Sequence, residues 1–190
     1  MMISVSGSTC VGKTTLINQL MKIPQFQDCS QASLEPAEAN PFLYKENSIF
    51  QSQVFFYAEY LKKCVDYLHQ PMPHKYYFLD RCIDEYELIS DYRFKLGELT
   101  EEEHTLCLSL VRSIKKIAPP IDKTIYLYCS PCTILERQAI RDRHNYYSEN
   151  TITLLNSMYH DWASKQPNIL YVNTDQAINI SEIIHFLTKP

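Results

Sequence analysis

The residues from Gly7 to Thr15, Gly7-Ser8-Thr9-Cys10-Val11-Gly12-Lys13-Thr14-Thr15, place two glycines five apart and follow them with a lysine and a hydroxyl side chain. A loop of this spacing turns consecutive backbone N–H groups toward an anion, and a helix starting behind it adds its partial positive charge. Lys13 reaches the β and γ phosphates of a nucleoside triphosphate, and Thr14 offers its hydroxyl to Mg²⁺. The chain contains only three glycines, and two stand where the loop needs them. An ordinary strand-to-helix turn gives no reason for that economy. ATP or GTP binding with Mg²⁺ is therefore expected, and the reaction must be read from other residues.

Three further groups could do chemistry. Glu35, followed by the turn-fixing Pro36, is a candidate base for a hydroxyl proton. Asp80-Arg81-Cys82 follows an apolar strand and sets a carboxylate beside a guanidinium. Arg137 and Arg141, four apart on one helix face, and Arg143 just beyond could close over a polyphosphate, neutralising charge and excluding water. Each has a plain alternative: a solvated glutamate, a surface ion pair, or a basic face interleaved with Glu136 and Asp142. A GTPase switch is excluded, because Asp-x-x-Gly needs a glycine past the loop and the only one, Gly97, has Phe94 at the partner position. A kinase of small molecules fits better.

These residues must be positioned by an alternating chain. Ile3–Ser6 reads as a strand into the loop, and Lys13–Lys22 as the helix out of it. A second strand ends at Leu34. Ile49–Leu68 reads as a long helix with a core face of Phe50, Val54, Leu61, Val65 and Leu68, and with Gln53, Phe56 and Tyr60 on a separate stripe. Tyr76–Leu79 is a third strand with Asp80 just past its end. Helices follow at 85–95 and 101–117, the second opened by Thr100 with Glu103 three residues on. Thr124–Tyr128 and Ile169–Val172 are further strands, with helices at 133–143, 150–165 and 181–187. The expectation is an α/β fold of three layers, of the P-loop NTPase type. Its five-stranded parallel sheet is flanked by helices and carries a short arginine-bearing lid near 137–150. Ligands belong at the carboxyl ends of its strands.

The bulk properties agree with a small acceptor. The 190 residues suit a single domain over 1–190, and the net charge of −4 gives no electrostatic reason for a nucleic-acid partner. No apolar run approaches the roughly 18 residues of a membrane span, so no membrane partner is expected. Seven scattered cysteines suit a reducing, cytoplasmic compartment. Cys129 and Cys132 stand at redox-couple spacing but lack thioredoxin-like surroundings, and no second Cys or His pair completes a zinc site.

Taken together, Glu35-Pro36, Asp80-Arg81-Cys82 and the three arginines resemble the deoxynucleoside kinases of the non-tetrameric type. Ala39-Asn40-Pro41-Phe42-Leu43, the helix bearing Gln53 and the helix near Trp162 extend the likeness almost end to end. The resemblance implies an ATP-dependent, Mg²⁺-requiring transfer to a deoxynucleoside 5′-hydroxyl. Glu35 would be the base, Asp80 and Thr14 would hold the metal, and Arg81 the 5′-hydroxyl region. Gln53, with Phe56 and Tyr44, would bind the nucleoside. It also implies a homodimer. Bulk at Phe56 and Tyr60 narrows the pocket toward a pyrimidine such as thymidine.

Three departures stand out. Cys82 replaces the family's serine, and Asn145 and Tyr146 stand where an acid contacting the sugar 3′-hydroxyl is usual. The acid that helps choose amino-bearing bases falls on Tyr86 or, with a gap, on Glu85. The nearest rival is a thymidylate-type monophosphate kinase, whose phosphate acceptor calls for cations rather than a carboxylate at Glu35. A non-catalytic nucleotide-binding module is the third reading.

Overall fold

The computed structural model describes residues 1–43, 45–69, 75–141 and 147–189. Strand β1 (Met2–Ser6) is buried at all five positions, the mark of a central strand covered on both faces. Helix α1 (Lys13–Leu20) follows the loop, and α2 (Pro24–Gln27), unforeseen in the sequence, packs Phe26 edge-on against Tyr76 and Phe78. Then come β2 (Ser30–Ser33), a 3-10 turn (Ala37–Ala39), α3 (Ile49–Leu68) and β3 (Tyr76–Asp80). Helices α4 (Ile83–Lys95) and α5 (Glu101–Lys115) lead to β4 (Lys123–Tyr128), α6 (Pro131–Ile140), α7 (Glu149–Ala163), β5 (Ile169–Asn173) and α8 (Ile180–Thr188).

All pairings in the sheet are parallel, in the order β2-β3-β1-β4-β5. The chain leaves β1 toward β3 and β2 on one side and later returns to β4 on the other. This reversal opens a crevice above the carboxyl end of β1. Register then matters. Val5 pairs with Asp80 and Ser6 with Tyr126, so the phosphate loop, Asp80 and the end of β2 emerge at one level. Asp80 is the last residue of β3 rather than the first beyond it, β2 stops one residue short of Leu34, and α6 ends at Ile140 with Arg141 as its C-cap.

One expectation reverses. The buried face of α3 is Ser52, Gln53, Phe56, Tyr57, Tyr60, Lys63 and Cys64, whereas Val65 and Leu68 are exposed, at 45% and 60%. Phe50, Val54 and Leu61 are half-buried. Apolarity alone misassigned the faces because tyrosine scores as polar while its ring buries as much surface as any core residue. Tyr57 and Tyr60 meet the edge of Tyr86 at 5.7 and 5.8 Å between centroids, which anchors α3 on α4.

Candidate active site

Gly7 can only be glycine: at φ 140° an added Cβ would lie 2.2 Å from the Leu127 carbonyl oxygen. Gly12, at φ 97°, is the left-handed N-cap of α1. Between them Cys10 takes φ 57°, a left-handed conformation usually left to glycine. The loop is fastened from a distance. Ser8 Oγ donates to Asn156 Oδ1 at 2.7 Å and Asn156 Nδ2 donates to the Cys129 carbonyl, so α7 holds loop and β4 together. Lys13 Nζ, buried, donates to the carbonyls of Gly7 and Ser8 at 3.1 and 2.8 Å. Burial and then the Arg81 charge lower its pKa, with Asp80, Glu35 and Glu85 pulling the other way.

Thr14 Oγ1 donates to Asp80 Oδ2 at 2.7 Å, while Asp80 Oδ1 is buried without a partner. A buried, unpaired carboxylate oxygen beside a hydroxyl suits a hard cation. Mg²⁺ is commonly held by one or two carboxylates plus substrate phosphates, and this pair fits that pattern.

Arg81 is the hub. It sits at φ 72° just after β3, and its backbone N–H donates to Val5 O at 3.2 Å. Its Nε lies 2.9 Å from Glu35 Oε1, an ion pair by distance whose N–H is not aligned on the oxygen. Its Nη1 donates to the Gly7 carbonyl at 3.2 Å, to Glu85 Oε2 at 3.3 Å and to the Tyr159 hydroxyl. Burial disfavours the cation, yet Glu35, Tyr159, Glu85 and Asp80 outweigh it and raise its pKa well above the usual value. Glu85, with no exposed surface, accepts from Gly7 N, Cys82 N and the Tyr159 hydroxyl. Burial raises its pKa, against the pull of Arg81 and Lys13.

Two cavities meet at Thr9, Cys10, Glu35, Ala37 and Arg81. The smaller is polar and takes in Lys13, Thr14, Asp80 and Arg141. The larger, about 900 Å³ and open to solvent, runs past Gln53, Phe56, Tyr86 and Ile89 to Arg93, Gln138 and Tyr147. Phe56 and Tyr86, both on its wall, stack on each other at 6.4 Å between centroids. A third hollow beside Gly12 and Thr15 is walled by Arg137, Arg141 and Thr174.

A family model described as deoxynucleoside kinase matches residues 3–187. The chain belongs to the deoxynucleoside kinase family. It is accordingly a phosphotransferase. Solved structures of a deoxyadenosine kinase from M. mycoides are similar in fold. The form with bound dATP is 18% identical with TM-score 0.82, covering 100% of both chains. The form with bound dCTP is 18% identical with TM-score 0.81, covering 98% of each. The form with the products dCMP and dCDP is 17% identical with TM-score 0.80, covering 98% of this chain and 96% of that one. No curated protein sequence matches the chain.

Among the residues singled out in this kinase's sequence, Glu35, Arg81, Asp80, Thr14 and Lys13 converge on one point, and Gln53 and Phe56 line the adjoining cavity. Tyr60 does not line it; it backs Tyr86 from behind. Arg141 faces the polar cavity, but Arg137 is spent on the scaffold, donating to the Cys10 carbonyl at 3.2 Å and the Thr174 carbonyl at 2.6 Å. Tyr44, Arg143, Asn145 and Tyr146 lie outside the described residues. Of the pair Tyr86 and Glu85, Tyr86 lines the cavity, and Glu85 is committed to the loop and Arg81.

Tyr159, Asn156, Gln138 and Lys63 carried no sequence signal, since each acts across the fold. Lys63, 8% exposed, has an ammonium group without a hydrogen-bond partner. Burial lowers its pKa, and the Glu35 and Asp80 charges oppose that. Glu85 did have a signal, three residues past the N-cap as in a capping box, hidden because the cap is Cys82 rather than Ser or Thr. No described helix is long and apolar enough to cross a membrane.

Proposed function

We propose that this kinase transfers the γ-phosphoryl group of ATP, with Mg²⁺, to the 5′-hydroxyl of a deoxynucleoside. One observation carries the reading: the polar cavity at the phosphate loop opens into the cavity of Gln53, Phe56 and Tyr86 at the point where Glu35 and Arg81 stand together. A hydroxyl at that junction meets a carboxylate able to take its proton and a guanidinium able to hold its oxygen. Lys13 and the loop N–H groups cradle the donor phosphates, and Thr14 and Asp80 hold the metal, which neutralises charge on them. Arg141 from the lid side adds positive charge where the migrating group passes. Arg143 shares that role in the proposed lid, and the hollow walled by Arg137 and Thr15 receives the remainder of ATP. Beside that proton transfer, positioning and electrostatics are most of the task, because phosphoryl transfer asks for little covalent help.

The acceptor is read as a deoxynucleoside, with Gln53 on the base edge and Tyr44 on the sugar. The bulky rings of Phe56 and Tyr86 on the wall narrow the cavity, which favours a pyrimidine such as thymidine. The exposed Val65 and Leu68 edge of α3 is the surface we assign to a homodimer. The test supplies ATP-Mg²⁺ with each of the four deoxynucleosides and with thymidylate, and separates products by chromatography. A deoxynucleoside monophosphate from at least one nucleoside is expected. Turnover of thymidylate alone would contradict the reading and point to a monophosphate kinase.

A further inference from the structure

We infer that Tyr159 is a positioning residue for phosphoryl transfer: its hydroxyl aims the Arg81 guanidinium at the junction of the two cavities, so the rate depends on a group that acts only through the arginine. The hydroxyl accepts from Arg81 Nη1 and donates to Glu85 Oε2 at 3.0 Å. Burial holds its pKa well above the usual tyrosine value, with the Arg81 charge opposing, so the phenol keeps the proton it gives to Glu85. The ring itself is clamped. Tyr159 is 1% exposed, lies nearly parallel to Tyr126 at 6.4 Å between centroids, and meets the edge of Trp162 at 6.2 Å. A clamped ring presents its oxygen at one place, whereas a long arginine side chain has many rotamers and goes where its partners direct it.

Arg81 needs such a guide. Its backbone sits at φ 72°, a conformation that a residue other than glycine keeps only where the surroundings over-determine it. The loop contributes the Gly7 carbonyl, and α4 contributes Glu85, itself bound to the N–H groups of Gly7 and Cys82. Tyr159 alone among the described partners of Arg81 comes from α7. Three residues earlier, on the same side of that helix, Asn156 accepts from Ser8 Oγ at 2.7 Å. Helix α7 thus grips the donor loop through Asn156 and the acceptor arginine through Tyr159. With Nη1 committed to Gly7, Glu85 and Tyr159, the guanidinium stands with Nε 2.9 Å from Glu35 Oε1.

The inference rests on the proposed transfer to a deoxynucleoside hydroxyl, and the test separates the two. Tyr159→Phe keeps the ring and deletes the oxygen. Single-turnover phosphorylation of the preferred deoxynucleoside, normalised to titrated ATP sites, should slow about 10–100-fold, the worth of a hydrogen bond to a charged group, with ATP affinity within about twofold of wild type. A purely structural loss would lower the melting temperature and the number of ATP sites but leave the rate per site. Placed on Arg81→Met, which keeps the stem and removes the guanidinium, Tyr159→Phe should cost less than about twofold more, because there is nothing left to aim. An unchanged rate per site, a loss of ATP affinity in its place, or the full loss persisting on Arg81→Met overturns the inference. Absence of turnover by the wild type with every deoxynucleoside overturns the acceptor reading and this inference with it.

Discussion

The donor half of the site and the acceptor half are built on opposite plans. The donor half is nine consecutive residues whose backbone does the work, and its demands are local: glycine where φ is positive or a carbonyl crowds, lysine and threonine at the helix start. The acceptor half is assembled from Glu35 after β2, Gln53 and Phe56 on α3, Arg81 after β3, Tyr86 and Arg93 on α4, Gln138 on α6 and Tyr159 on α7. The halves are joined at a buried pair: Glu85 accepts from Gly7 N and from Tyr159, and its partner Arg81 donates to the Gly7 carbonyl. A contiguous motif therefore fixes what is bound at one end. The chemistry at the other depends on contacts about 75 residues apart in the chain.

The contrast can be broken first at Gly7. Gly7→Ala puts a methyl group against the Leu127 carbonyl at a φ no alanine favours, and a loss of about 3 kcal/mol or more is expected. Chemical denaturation should register it together with lost ATP binding. On the acceptor side Arg81→Lys keeps the charge but removes the fork that reaches Gly7, Glu85 and Tyr159 at once. Here kcat should fall on the order of a hundredfold while the melting temperature shifts little by comparison.

Cys10→Gly relieves the left-handed cysteine but empties a buried core position and frees the unfolded chain, so a net loss of no more than about 1 kcal/mol, or roughly 2–4 °C in Tm, is expected. Glu85 provides the smallest and most diagnostic signal. Its folded pKa is raised, so the native state binds the extra proton and stability falls as pH rises from the ordinary carboxylate range through the raised value. Glu85→Gln should flatten that part of a Tm-versus-pH curve. An unchanged slope would show that Glu85 titrates as an ordinary acid.

The same contrast explains what could be read in advance. The loop, the strand–helix alternation and the parallel sheet were legible because glycine placement and apolar periodicity are local records. Glu35 and Arg81 were legible as residues, but their ion pair was not, because it needs β2 and β3 side by side in register. The faces of α3 were misread since Tyr57 and Tyr60 bury behind polar labels. Tyr159 and Asn156 gave no sign at all, as the groups they hold, Arg81 and Ser8, lie 78 and 148 residues away.

The central claim is that Glu35 takes the acceptor's proton and has no part in holding the donor. Glu35→Gln keeps the shape and removes the base, so the decisive measurement is ATP affinity beside single-turnover phosphorylation of the preferred deoxynucleoside. Unchanged ATP affinity with a rate lowered about 10²–10⁴-fold is the predicted result. A rate equal to wild type would contradict the account.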